Sequence, residues 1–157
     1  DEILQIAVLD VDSGETLLDT FVRPYFKEDW HAAHAINGIT EKMVETAPYI
    51  FEVLPQLNRI LAEAETIVGY NILQFDSIFL DVFGAVYPPD TEFVDLMPMI
   101  AEIYGEWSEK YSNYKFQSLS TCAEYYGYDW GSDTAHNALA DCRATAFCYK
   151  KILETNF

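Results

Sequence analysis

Apolar and β-branched residues dominate from Ile3 to Val11, turn formers fill Asp12-Ser13-Gly14-Glu15, and the pattern resumes from Thr16 to Val22, which predicts an antiparallel hairpin. Arg23-Pro24 ends it, and a loop rich in aromatic and polar residues is expected as far as Gly38. Thr40 ahead of Glu41, Met43 and Val44 reads as an N-cap and a short helix that Pro48 stops. From Tyr49 to about Ala64, the residues Ile50, Val53, Leu54, Leu57, Ile60 and Leu61 recur at three and four positions, the period of a helix. Thr66 to Tyr70 is expected to be a short buried strand. A helix should follow from about Gln74 to Tyr87, where Pro88-Pro89 breaks it. A weaker strand is expected over Glu92 to Leu96, then a helix near Pro98 to Tyr104 and a Tyr- and Ser-rich connection. Two further helices are expected from about Ser118 to Tyr126 and from about Ala135 to Glu154. Strands first, then strands alternating with helices, predict one α/β domain over residues 1–157 with a mixed sheet.

Composition agrees with a folded domain: of 157 residues, 50% are hydrophobic and 15% aromatic. No run of about 18 apolar residues and no signal-like start are present, so the expectation is a soluble protein of the cytoplasm without a membrane partner. Cys122, Cys142 and Cys148 stand in no zinc-like spacing and are odd in number, which points to buried packing rather than a disulfide framework. Charge changes the picture more. Asp and Glu number 26 against 9 Lys and Arg, a net −17, too few cations for long nonspecific tracking along duplex DNA. A strand end remains tractable for such a chain if bound divalent cations supply the positive charge locally.

Two acids fall where the helical pattern wants apolar groups. Asp76 shares a face with Phe79, Leu80 and Phe83, at spacings of three, four and seven. On the last helix Leu139, Cys142, Ala146, Tyr149 and Leu153 form one apolar stripe. Ala138, Thr145, Cys148 and Ile152 form the next, and Asp141 falls within it. Carboxylates on packing faces need basic partners, helix N–H groups or metal ions, and basic residues are scarce here. His136, five residues before Asp141, is expected at the start of the same helix, where a neutral imidazole able to take a proton from water is favoured.

The segments VGYNILQFDSIFL (Val68 to Leu80) and AHNALADCRAT (Ala135 to Thr145) resemble the second and third motifs of the DnaQ-like, DEDDh 3′→5′ exonuclease superfamily. The opening EILQIAVLDVDSGE is similar to the hairpin that follows that family's first motif, and INGIT (Ile36 to Thr40) with its Met-Val helix also fits. The resemblance implies a ribonuclease H-like fold, a mixed sheet with an antiparallel hairpin flanked by helices. It implies two-metal phosphodiester hydrolysis with Mg²⁺ or Mn²⁺ about 4 Å apart. In that reading Asp141 binds the metal that holds the nucleophilic water and Asp76 the second metal. His136 is the general base, Asn71 positions the strand end, and Phe75 contacts the nucleotide, although a core role suits both Phe75 and Phe79. The implied partners are 3′ ends of single-stranded DNA or RNA, with a polymerase or repair protein as a candidate companion.

Two departures matter. The run Asn71 to Asp76 is one residue longer than in polymerase proofreading subunits, which argues against proofreading specifically. The family's first motif, Asp-x-Glu on an opening strand, is absent, and Asp10-Val11-Asp12 sits where a hairpin turn is expected. Omitting a central strand would leave backbone groups on its neighbours unpaired, so the expectation is that the native protein carries about fifteen to twenty more residues that include Asp-x-Glu. The alternative reading is a catalytically silent module of the same fold that binds protein or nucleic acid. A third takes His31 and His34 as half of a zinc site.

Overall fold

The computed structural model describes residues 2–156. β1 (Gln5–Leu9) and β2 (Thr16–Phe21) pair antiparallel, with Gln5 opposite Phe21, Val8 opposite Leu18 and an irregularity between Val8 and Leu9. Their connection is the expected turn: the Asp10 carboxylate accepts the N–H and hydroxyl of Ser13, both at 2.7 Å. Gly14 takes a left-handed φ of 76° there. Asp10 and Asp12 are thus turn residues.

The segment expected to be loop up to Gly38 contains α1 (His31–Asn37). Its sequence HAAHAIN lacks an apolar period, and none of its residues is buried, so the pattern gives no signal. It is anchored from outside: buried Trp30 donates its indole N–H to the Ile39 carbonyl at 2.7 Å, and His34 Nδ1 donates to the same oxygen at 3.0 Å. His34 is thus engaged by the backbone, and among the described residues no group of three or more His, Cys, Asp or Glu completes a metal site around His31 and His34. α2 (Glu41–Val44) begins at Thr40, whose hydroxyl accepts the Met43 N–H at 3.3 Å. α3 (Ile50–Leu61) buries Val53, Leu57 and Leu61, every fourth residue, against Ile6, Leu18 and Val22 of the hairpin.

β3 (Thr66–Gly69) and β4 (Glu92–Asp95) pair in parallel around α4 (Asp76–Phe83). α4 is shorter than the sequence pattern suggests because Gly84, at φ 88°, caps it. Next come α5 (Leu96–Tyr104) and a small hairpin of β5 (Trp107–Ser108) and β6 (Asn113–Tyr114) in the connection read as loop. α6 (Leu119–Tyr126) starts at Ser118, whose Oγ accepts the Thr121 N–H at 3.0 Å. α7 (Ala138–Asn156) ends the described chain.

Instead of one continuous sheet, the described strands form separate pairs, β1–β2 and β3–β4. Packing nevertheless joins the two pairs through shared cores. Ile67 joins the core of Ile6, Leu18 and Leu57 on one side of β3. Its neighbour Val68 joins Leu96, Ile100, Ala144, Cys148 and Ile152 on the other. α7 packs on both β1 and β3 and ties the two halves together. Its deepest line is Ala144, Cys148 and Ile152, with Thr145 also buried. The second expected stripe is therefore the inner one, while Leu153 of the first is exposed. The three cysteines are free, Cys122 and Cys148 fully buried and Cys142 partly so.

Candidate active site

The strand end of β3 is shaped by a close approach. A Cβ on Gly69 would lie 2.5 Å from the Ile72 side chain, so the chain turns sharply here, and Asn71 adopts a left-handed φ of 62°. A buried acid that sequence reasoning treated only as part of a strand holds that turn. Asp95, 8% exposed, accepts the N–H of Asn71 at 2.8 Å, of Leu73 at 3.3 Å and of Met97 at 3.1 Å. It caps α5 and at the same time fixes the loop that leads into α4. An Asp at a strand end, directly before the helical run LMPMI, was the available signal. Within the turn the Ser77 N–H donates to the Ile72 carbonyl at 2.9 Å, which sets the first turn of α4.

Asp76 is the first residue of α4. The sequence pattern placed it on a packing face, and Phe79, Leu80 and Phe83 are indeed half-buried, but Asp76 itself, the first residue of the helix, is exposed. Protein atoms still crowd its carboxyl. Desolvation, with repulsion from Asp95 and Asp141 added, pushes it up to about 6. Asp141 lies in the first turn of α7, half-buried as its stripe predicted, and burial raises its carboxyl above the ordinary range.

His136 is not in the helix. Asn137 caps α7, its Oδ1 accepting the Ala140 N–H at 3.2 Å and its carbonyl the Asp141 N–H at 2.9 Å. That leaves His136 exposed one position outside, with a left-handed φ of 71°. Its backbone N–H donates to Asp141 Oδ1 at 3.1 Å, which ties the main chain at His136 to the acid five residues on. Cys142 sits among the same acids: burial, then Asp76 and Asp141, pushes its thiol up to about 12. Asp76 thus lies near enough to Asp141 and Asp95 to feel their charge, and His136 is tied to Asp141 through its backbone N–H. Asn71 points its Oδ1 into a buried position without a hydrogen-bond partner. Phe75 is 56% exposed, against the core role expected for it, and packs beside half-buried Phe79 at 5.1 Å between ring centroids.

Hard carboxylate oxygens beside an exposed imidazole suit a small divalent cation and a water to be deprotonated. Among the described residues, no group of three or more His, Cys, Asp or Glu is arranged to hold a metal.

The chain matches a family model for exonuclease domains, RNase_T, over residues 1–149. A DNA polymerase III subunit epsilon-like protein of Rhodobacter capsulatus is 30% identical over 161 residues, which cover 98% of this chain and 21% of that protein. Exonuclease CP81 of Escherichia phage 186 is 31% identical over 152 residues, covering 92% of this chain and 76% of the phage protein. The chain thus spans about a fifth of the first relative and three quarters of the second. Among solved structures, exonuclease X in complex with 5′ overhanging duplex DNA aligns with a TM-score of 0.67 at 24% identity, covering 97% of this chain and 82% of that one. The nuclease domain of 3′hExo, a DEDDh family member bound to rAMP, aligns at 0.69 and 19% identity, covering 98% and 81%. At these identities the likeness is one of fold, the ribonuclease H-like arrangement expected from the sequence. No helix among the described residues is long and apolar enough to cross a membrane.

Proposed function

Because this chain belongs to the exonuclease family whose model spans residues 1–149, we propose that it hydrolyses phosphodiester bonds at the 3′ ends of single-stranded DNA or RNA in a metal-dependent reaction. The observation that carries this reading is the convergence of Asp76 and Asp141 beside His136 from separate parts of the chain. A water oxygen attacks the terminal phosphorus and the bond to the 3′ oxygen of the preceding nucleotide breaks. The product is a nucleoside 5′-monophosphate, and the shortened strand keeps a 3′-hydroxyl. His136, exposed and tied through its backbone to Asp141, takes the proton of that water.

Asp76 and Asp141 would hold Mg²⁺ or Mn²⁺. When bound, such ions supply the positive charge that this acidic chain lacks and favour ionisation of the attacking water. The residues fit that role in two respects. Asp76 is held near 6 by desolvation and its acidic neighbours, a state that a cation relieves, and the buried Asn71 Oδ1 has no protein partner. Asn71 and Phe75 flank Asp76 and would position the terminal nucleotide. The domain comprises residues 1–157, and a polymerase or repair protein is its candidate companion.

That no group of three or more His, Cys, Asp or Glu among the described residues is arranged to hold a metal leaves a second reading, a silent module of the same fold that binds without cutting. A labelled single-stranded oligonucleotide separates the two. Release of mononucleotides from the 3′ end with Mg²⁺ or Mn²⁺, lost in EDTA and in Asp141→Ala, supports hydrolysis. No release with either ion, or release that survives Asp141→Ala, overturns it.

A further inference from the structure

The nine basic residues of the chain are not spread evenly. Three of them, Arg23, Lys27 and Lys42, line one groove of about 640 Å³ between the end of β2, α2 and the start of α3. Glu28, Glu41 and Glu45 line it too, so the groove is close to neutral on a chain of net charge −17. Arg23 and Lys42 have no carboxylate partner among the described residues, whereas Lys115, Arg143 and Lys151 each pair with one.

Aromatic rings fill the same surface. Tyr25 and Phe26 are 64% and 84% exposed, with centroids 4.8 Å apart. Tyr25 lies 5.5 Å from Tyr49, which stacks on exposed Phe51 at 5.6 Å with planes 9° apart, and the Arg23 guanidinium lies 5.3 Å over the Tyr49 ring. These rings are held out to solvent by design of the backbone beneath them. The Glu2 carboxylate accepts three successive N–H groups, of Tyr25, Phe26 and Lys27, at 2.6, 2.9 and 2.7 Å, which pins the loop. Large exposed rings on a pinned loop contribute nothing to the core and are prepared for a partner.

The groove also sits at the same end of the fold as the acids. Gln5 begins β1 opposite Phe21, and its side-chain oxygen accepts the Ala138 N–H at 3.2 Å. The first turn of α7, with Asp141, therefore meets the end of β2 across the start of β1, and Arg23 lies two residues further on.

We propose that this groove binds single-stranded nucleic acid, its bases on Tyr25, Phe26, Tyr49 and Phe51 and its phosphates on Arg23 and Lys42. The proposal rests on the nuclease reading above and extends it to the part of the strand upstream of the terminal nucleotide. An apolar protein surface would leave Lys42 unanswered, whereas a strand engages cation and ring together, as Arg23 already does over Tyr49.

The test is fluorescence anisotropy of the full-length protein in EDTA with labelled oligothymidylates of twelve and three nucleotides. The wild type should bind the longer one more tightly. In Tyr25→Ala/Phe26→Ala its dissociation constant should rise about ten-fold or more, so that the length preference collapses. Arg23→Gln should flatten the salt dependence of binding to the longer strand. Wild-type affinity for the twelve-mer in the double variant overturns the proposal, as does equal loss for both lengths. Failure of the wild type to bind either strand also overturns it and assigns the rings to a protein partner. A wild type that binds but never cuts retires the hydrolase reading and leaves the groove standing; cutting with unaltered binding in the variants retires the groove alone.

Discussion

Asp95 and Asp76 occupy nearly equivalent places, each at the start of a helix that follows a parallel strand, and they live under opposite conditions. Asp95 is buried and receives three backbone N–H groups. Asp76 is exposed, yet its carboxyl is crowded by protein and by two other acids and is pushed up to about 6. Burial by itself therefore does not identify a costly carboxylate. The decisive quantity is whether donors have been built around it, and here the buried acid is structural while the exposed one is left waiting for a positive charge.

The sharpest way to break this contrast is Asp95→Ala. It removes a cap and leaves buried N–H groups of Asn71, Leu73 and Met97 without acceptors, so unfolding in urea should show a loss of about 2–4 kcal/mol. A loss below about 1 kcal/mol would put Asp95 on the same footing as an ordinary surface cap. Gly69→Ala tests the other support of the same turn. The added methyl meets the Ile72 Cβ at 2.5 Å and its Cδ1 at 2.7 Å, and the same assay should lose about 1–3 kcal/mol.

Asp76→Asn should act in the other direction. A carboxyl whose folded pKa lies above its unfolded value of 3.8 keeps its proton more readily when folded, so its charge opposes folding at neutral pH. Without divalent ions the variant should melt above wild type at pH 7.5, and the gain should shrink as pH falls from about 6 towards 3.8. Scanning calorimetry across that range checks it; a lower melting temperature at pH 7.5 would mean that Asp76 is satisfied by groups already present. The smallest expected effect is that of Mg²⁺, which should raise the melting temperature of wild type at pH 7.5 and leave Asp76→Asn and Asp141→Asn unmoved, read by the same instrument.

The hairpin, the helices around Leu57 and Cys148, and the inward set of Asp141 are legible in the sequence because each rests on a period of two or of three to four. α1 is not, since a helix without a buried face leaves no period and depends on Trp30 and His34 reaching one carbonyl. Asp95 also escapes, because a capping acid and a turn acid look alike until the chain returns its N–H groups from 24 residues away. His136 is displaced from its expected helix by Asn137, whose cap starts the helix at Ala138 instead of about Ala135.

The left-handed backbone at His136 carries a last consequence. Glycine would occupy that position with less strain, so a laboratory selection for thermal robustness alone should drift toward it and discard the ring. On its proposed role as general base, His136 would set durability against chemistry, and variants that trade one for the other should be found first at this position.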